Sequence, residues 1–157
     1  PGGPMLDKLA QQGNSDAFSF PESEMPGLNY SFSGIKTAVL YFLRDQLKEN
    51  ENFIEENKSD LAASVQKTLI NMLMQKLRKA ARKYKINQIA IAGGVSANSG
   101  LRKRLSEMAI DEDWEVYIPA FEYCTDNAGM IAMAGHYKYL EGEFVDQSVS
   151  ALPRMKF

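Results

Sequence analysis

The chain has 157 residues, a length that suits one domain, with a net charge of −2 and an ordinary 45% of hydrophobic residues. That balance excludes a globally basic nucleic-acid binder, although it leaves a local basic patch open. No apolar stretch reaches the length of a membrane span, no secretory leader pattern is present, and the single cysteine, Cys124, excludes an internal disulfide or a CxxC zinc site.

In chain order, Pro1-Gly2-Gly3-Pro4 reads as a tight turn, so an element is expected before it and the chain reads as the C-terminal portion of something longer. Pro4 to Gln12 follows as a short helix ended by Gly13 and Asn14, with the glycines ahead of it suited to close approach of a ligand. Ser15 to Asn29 is a loop marked by Pro21, Pro26 and Gly27. Tyr30 to Gly34 is a turn, with Ser33 as N-cap of a helix from Ile35 to about Lys48. Glu49 to Lys58 reads as an exposed polar connection. Ser59 then caps the longest helix, with Asp60 in its first turn. Leu61, Val65, Leu69, Leu73 and Leu77 recur every four residues, and Ile70, Met72 and Met74 widen that stripe to a broad buried face.

The second half alternates strand and helix. Gln88 to Ala92 is a buried-strand candidate, Asn98 to Ala109 a helix, and Glu115 to Ile118 a strand stopped by Pro119. Thr125 to about Leu140 is a final helix rich in small residues, ended by Gly142. This order implies two parallel strands in a βαβ unit, which need further strands for a stable sheet. Residues 1–86 thus read as a mainly helical region, 87–141 as a β-α-β-α nucleotide-binding portion, and 142–157 as a tail.

Two turns face the crevice where an open α/β sheet binds ligands, because each follows a strand. Gly93-Gly94, with Asn98 opening the next helix, presents backbone N–H groups to an anion or simply solves a tight βα turn. In Cys124-Thr125-Asp126-Asn127, Thr125 or Asp126 serves as N-cap, or Asp126 is a metal ligand or phosphate-side carboxylate that needs partners from elsewhere. The lone histidine, His136, lies well down that helix and reads as a surface or packing residue. Cys124, without a neighbouring base, reads as buried filler. Asp7 is either a first-turn aspartate or a carboxylate for a ribose or base edge. Ser33 and Lys36 sit at a helix start, where a lysine runs against the macrodipole and leans toward an anion. Arg78, Lys79, Arg82, Lys83, Lys85, Arg102, Lys103 and Arg104 read as a solvated basic face or, less simply, as phosphate contacts.

Taken in order, Pro1-Gly2-Gly3-Pro4 with Asp7, Ser31-Phe32-Ser33-Gly34-Ile35-Lys36-Thr37, Ala92-Gly93-Gly94-Val95-Ser96-Ala97-Asn98 with Leu101-Arg102, and Cys124-Thr125-Asp126-Asn127 with Met130-Ile131-Ala132 form a pattern spanning nearly the whole chain. It resembles the C-terminal half of the TsaD family, the tRNA adenosine threonylcarbamoyltransferases, and Lys36 leans toward the bacterial or organellar branch. The resemblance implies an α/β, helix-rich fold: the C-terminal lobe of an actin/Hsp70-like (ASKHA, RNase H-like) ATPase fold, with N-terminal strands of the lobe missing. It implies transfer of threonylcarbamoyl from threonylcarbamoyl-AMP to N6 of the adenosine beside the anticodon in tRNAs reading ANN codons. By position, Gly3, Asp7 and Asn98 would contact the nucleotide, with Gly93, Gly94, Ser33 and Lys36 as supporting loops. Asp126 would be one ligand of a catalytic iron or zinc ion acting as a Lewis acid.

The family's other metal ligands, two histidines spaced H-x3-H, have no counterpart here, and neither does its upstream glycine-rich loop. The chain alone is therefore expected to bind metal poorly, not to catalyse, and to self-associate through uncovered sheet edges. The expected partners are tRNA, the adenylate, a TsaB-like paralogue and a TsaE-like ATPase, in the cytoplasm and without a membrane. The alternative is a non-catalytic ASKHA-type nucleotide-binding or assembly lobe. An older glycoprotease description has no support, since there is no HExxH helix and no nucleophile–base pair.

Overall fold

The computed structural model describes residues 2–22 and 25–150. Pro1 of the opening motif and residues 151–157 of the predicted tail lie outside these. The chain divides into a unit ending at Cys124 and a second beginning at Thr125. Together they make a helix-rich α/β protein with one small parallel sheet.

The first helix, α1, runs from Gly2 to Ala10, so the two glycines are its first turn rather than a turn ahead of it. Pro4 permits this, because the first-turn N–H groups have no intrahelical partner and a missing one costs nothing. Gly13 follows where the chain meets the next long helix so closely that a Cβ would stand 2.1 Å from the carbonyl oxygen of Ser59. From there the backbone is tied to α4 (Lys58–Tyr84). Asn14 N–H donates to Asp60 Oδ1 at 2.7 Å, Phe18 N–H donates to Ser64 Oγ at 3.1 Å, and Lys67 pairs with Asp16.

Helix α2 spans Phe32–Glu49 and a four-residue helix, α3, Phe53–Glu56. Ser31, not Ser33, is the N-cap of α2, and Ser33 lies in its first turn. The connection predicted to be polar and exposed instead turns Phe53 inward, where Phe18, Phe20, Phe42 and Phe53 meet with ring centroids 5.4–5.9 Å apart, mostly edge to face. Four tilted rings of this kind are a hydrophobic cluster in their own right.

The cap of α4 is Asn57 rather than Ser59, without a side-chain bond. Its buried face is set by Leu61, Ala62, Ala63, Met72, Met74 and Ala81, while Leu73 and Leu77 are only half buried. Alanines share this face with the larger Met72 and Met74, where α1 and α5 pack against the helix. The helix ends at Lys85 in the left-handed region (φ 55°), with Ile86 N–H returning to Ala81 C=O at 3.0 Å.

Strand β1 (Gln88–Ala90) pairs in parallel with β2 (Glu115–Tyr117), in register Ile89 to Val116. Helix α5 (Ser99–Asp111) crosses between them. Met74, Ala81, Ile89, Leu101, Leu105 and Met108 form the core of this region, and Leu105 is fully buried. Basic residues of the predicted solvated face are partly engaged: Arg82 makes a two-pronged bond to Glu112 at 2.9 and 3.1 Å. Arg78 Nε lies 2.8 Å from the same carboxylate but outside hydrogen-bond geometry, so it contributes charge without a directed bond.

In the second unit, α6 spans Ala128–Glu141 and closes on Gly142 in the left-handed region (φ 72°). Among the described residues no helix is long and apolar enough to cross a membrane.

Candidate functional site

The βα turn after β1 is the starting point. Gly93 has φ 79° and ψ 174°, a backbone state open to glycine alone. Its carbonyl accepts both from Ser96 N–H at 2.9 Å and from Ser96 Oγ–H at 2.7 Å, closing a short 3-10 turn over Gly94–Ala97. A Cβ at Gly93 or Gly94 would meet nothing within 4 Å, so the outer side of this turn is open backbone.

The turn delivers Asn98 to the head of α5. Asn98 Oδ1 accepts from Leu101 N–H at 2.8 Å, which makes it the N-cap. Its amide nitrogen donates twice, to Asp7 Oδ1 at 3.2 Å and to Gln66 Oε1 at 2.7 Å. Asp7 in turn accepts from Ser99 N–H at 3.1 Å and from Ser99 Oγ–H at 2.9 Å, while Ser99 Oγ accepts from Gln11 Nε2–H at 3.0 Å. A carboxylate placed on two donors at a helix N-terminus satisfies the helix's orphan N–H groups and meets the positive end of its dipole.

Counting valences shows what is left for a ligand. Both Asn98 amide hydrogens are used. Asp7 accepts three hydrogen bonds and has capacity for about four, so one acceptor site remains. Gly3 is one helical turn before Asp7 on the same face, exposed, with no heavy atom within 4 Å of a notional Cβ. The arrangement offers a single carboxylate acceptor beside bare glycine backbone: a chemistry suited to a hydroxyl-bearing group next to an anion. Gln11, Gln66 and Ser99 also line an open groove of about 690 Å³ rimmed by Lys67 and Lys103.

The expected residues therefore fall into three groups. Asp7 and Asn98 touch directly, while Gly3, one turn ahead of Asp7 on α1, and Gly93 and Gly94, in the turn leading to Asn98, belong to the same unit. Ser33 and Lys36 sit exposed in the first turns of α2, and among the described residues no hydrogen bond or ion pair joins either to the Asp7–Asn98 network. Asp126 belongs to the second unit. There Asn127 takes the cap of α6, its Oδ1 accepting from Met130 N–H at 3.1 Å, so neither Thr125 nor Asp126 serves as cap. The exposed Asp126 carboxylate makes no hydrogen bond or ion pair among the described residues.

Asp126 alone cannot hold a divalent ion. The described residues contain no cluster of three or more His, Cys, Asp or Glu side chains that could do so. These residues do not by themselves fit a metal centre.

Gln66 and Ser99 are participants that sequence reasoning missed, and Arg102, read as part of a solvated basic face or as a phosphate contact, instead binds the carbonyls of Ser96 and Pro119. Gln66 is 91% buried on a face otherwise built of alanine and aliphatic residues, and a polar residue at apolar spacing was the available signal. Arg102 is a cation in the first turn of α5, the same conflict with the dipole that drew attention to Lys36.

Comparison with known proteins gives a consistent result. The family model for TsaD, tRNA N6-adenosine threonylcarbamoyltransferase, matches residues 1–133. The chain is 55% identical over 156 residues to the tRNA N6-adenosine threonylcarbamoyltransferase of Cytophaga hutchinsonii, covering 99% of this chain and 46% of that protein. It is 58% identical over 144 residues to that of Phocaeicola vulgatus, covering 92% and 42% respectively. It is 52% identical over 157 residues to that of Christiangramia forsetii, covering 100% and 46%. The chain thus spans less than half the length of the curated relatives it matches.

Proposed function

We propose, from the fact that the chain belongs to the TsaD family of tRNA N6-adenosine threonylcarbamoyltransferases, that it forms the nucleotide-side part of such an enzyme. The reaction is transfer of threonylcarbamoyl from threonylcarbamoyl-AMP to N6 of the adenosine beside the anticodon in tRNAs reading ANN codons. N6 attacks the carbamoyl carbon, the bond from that carbon to the phosphate oxygen breaks, AMP leaves, and one N6 proton is lost.

The observation that carries this reading is the Asp7 carboxylate at the head of α5, with one acceptor site free beside the open backbone of Gly3, Gly93 and Gly94. Asp7 would accept from a ribose hydroxyl. The open backbone of the Gly93–Gly94 turn would donate to the phosphate. Asn98 holds Asp7 and Gln66 in place and keeps its direct ligand contact to one carbonyl lone pair. Fixing the donor this way converts a bimolecular encounter into a reaction between held groups, which is where much of such a barrier is lowered. The small parallel sheet with its crossing helix is compatible with one lobe of an actin/Hsp70-like fold, and we assign it so.

Asp126, free of capping duty, would supply one oxygen to a divalent iron or zinc ion whose other ligands are not among the described residues. When bound, such an ion supplies Lewis-acid polarisation of the carbamoyl carbonyl. Residues 1–157 alone are accordingly proposed to be inactive, and to act with a TsaB-like paralogue and a TsaE-like ATPase in the cytoplasm, where tRNA is modified.

The test is mass spectrometry of threonylcarbamoyladenosine in tRNA from cells depleted of the full-length protein that the gene encodes and then resupplied with it. Wild type restores the modified nucleoside, whereas Asp126→Ala and Asp7→Ala do not. Unchanged levels on depletion would refute the assignment. Full restoration by Asp126→Ala would remove only its metal role.

A further inference from the structure

We propose that Arg102 is a positioning residue: it locks the Gly93–Ser96 turn to the Pro119–Cys124 segment and so holds the turn in the form that receives the adenylate end of the donor. The last clause rests on the function proposed above.

Arg102 occupies the first turn of α5, where the helix dipole disfavours a cation. Its position is compensated by an unusual set of partners. Nε–H donates to Ser96 C=O at 2.6 Å, and Nη2–H donates to Pro119 C=O at 2.6 Å and to Cys124 Sγ at 3.0 Å. The guanidinium carbon lies 4.0 Å from the ring centroid of Phe121. One planar group thus joins the loop that follows β1 to the loop that follows β2. Charge-assisted bonds to carbonyls are among the stronger ones a side chain makes.

The connection passes directly to the glycines. Ser96 is 1% exposed, and both its N–H and its hydroxyl hold the Gly93 carbonyl. The ladder between β1 and β2 covers three residue pairs, too short to fix two loops beyond its ends. What sets the turn is the fork of Arg102, and lysine cannot replace it, since a single ammonium does not span two carbonyls in one plane.

The experiment uses the protein as its gene encodes it, with Arg102→Lys, Arg102→Met and, as control, Asp111→Ala, an exposed residue at the far end of the same helix. Hydrogen exchange of the Ser96 amide and titration with AMP are both read. Both Arg102 variants should speed Ser96 exchange by about tenfold while α4 amides keep their rates, and should weaken AMP binding on the order of tenfold. In turnover assays, KM for the adenylate should rise with kcat nearly unchanged, as expected when an interaction present in both ground and transition states is lost. Asp111→Ala should change none of these. Unaltered Ser96 exchange in Arg102→Met, or acceleration spread evenly over α4 and α5, would overturn the clamp. Fast Ser96 exchange with intact AMP affinity would overturn its link to the nucleotide. Absence of AMP binding by wild type would instead overturn the adenylate reading, and Ser96 exchange would still decide the clamp.

Discussion

Asn98 carries three bonds where a helix cap needs one, and the surplus ties Asp7 of α1 and Gln66 of α4 to the head of α5. Asp7 and Asn98 were legible in the sequence because each belongs to a short motif with glycines beside it. Gln66 was not, and Arg102 was named only with the basic residues and the family pattern, because their partners are main-chain or side-chain atoms brought near only by folding. Gly3 gives the sharpest test at this scale. An alanine there meets no atom of the protein, and alanine is the better helix former by about 0.5–1 kcal/mol. Gly3→Ala should therefore leave thermal stability equal or higher while weakening AMP binding by about tenfold or more. Equal affinity in calorimetric titration would show that no ligand approaches that backbone. A second test concerns Tyr30, whose phenol is pushed up from its ordinary value by burial and whose hydroxyl donates to Leu73 C=O at 3.4 Å. A raised folded value means that its stabilising effect is complete below the unfolded value near 10. The effect is lost as pH rises through the folded one. Wild type should lose stability across that alkaline window more steeply than Tyr30→Phe, as followed by denaturant midpoint against pH; parallel curves would contradict this.

At the scale of elements, every long helix and both strands were anticipated, as were the strand starts at Gln88 and Glu115, the opening of α5 by Asn98 and the stop at Gly142, while three helix caps were not. Caps moved from Ser33 to Ser31, from Ser59 to Asn57, and from Thr125 or Asp126 to Asn127. Several residues capable of capping stood near each start, and tertiary contacts chose among them. The α1–α4 contact shows the same dependence. Gly13 was expected only to end a helix, yet its lack of a side chain is what lets the chain pass the start of α4. Gly13→Ala should destabilise by about 1–3 kcal/mol, because the obstructing atoms are backbone and cannot swing aside. A chemical denaturation midpoint unchanged from wild type would mean that the two segments separate at little cost.

For the molecule as a whole, the small sheet has two open edges among the described residues, and large apolar side chains remain exposed within each unit. Ile110 is 85% exposed in the first, while Ile131 and Val145 are 76% and 77% exposed in the second. Open strand edges and apolar surface favour association. The chain of 157 residues should show a weight-average sedimentation coefficient that rises over a tenfold range of concentration, reduced by Ile131→Glu. A concentration-independent monomer would count against this.

What the sequence determined by itself was local and periodic: the helix-rich α/β order, the parallel βαβ unit, the glycine turn after β1 and the family pattern that runs through it. These follow from side-chain spacing and backbone permission, which neighbouring residues settle among themselves. Only the tertiary structure decided that Asp7 spans 91 residues to hold the head of α5, that Gln66 and Ser99 complete that network, and that Arg102 faces inward to bind two loops. A hydrogen bond between distant residues leaves no period in the sequence. It exists because packing of α1, α4 and α5 brings donors and acceptors within hydrogen-bond distance of one another, at 2.7–3.2 Å.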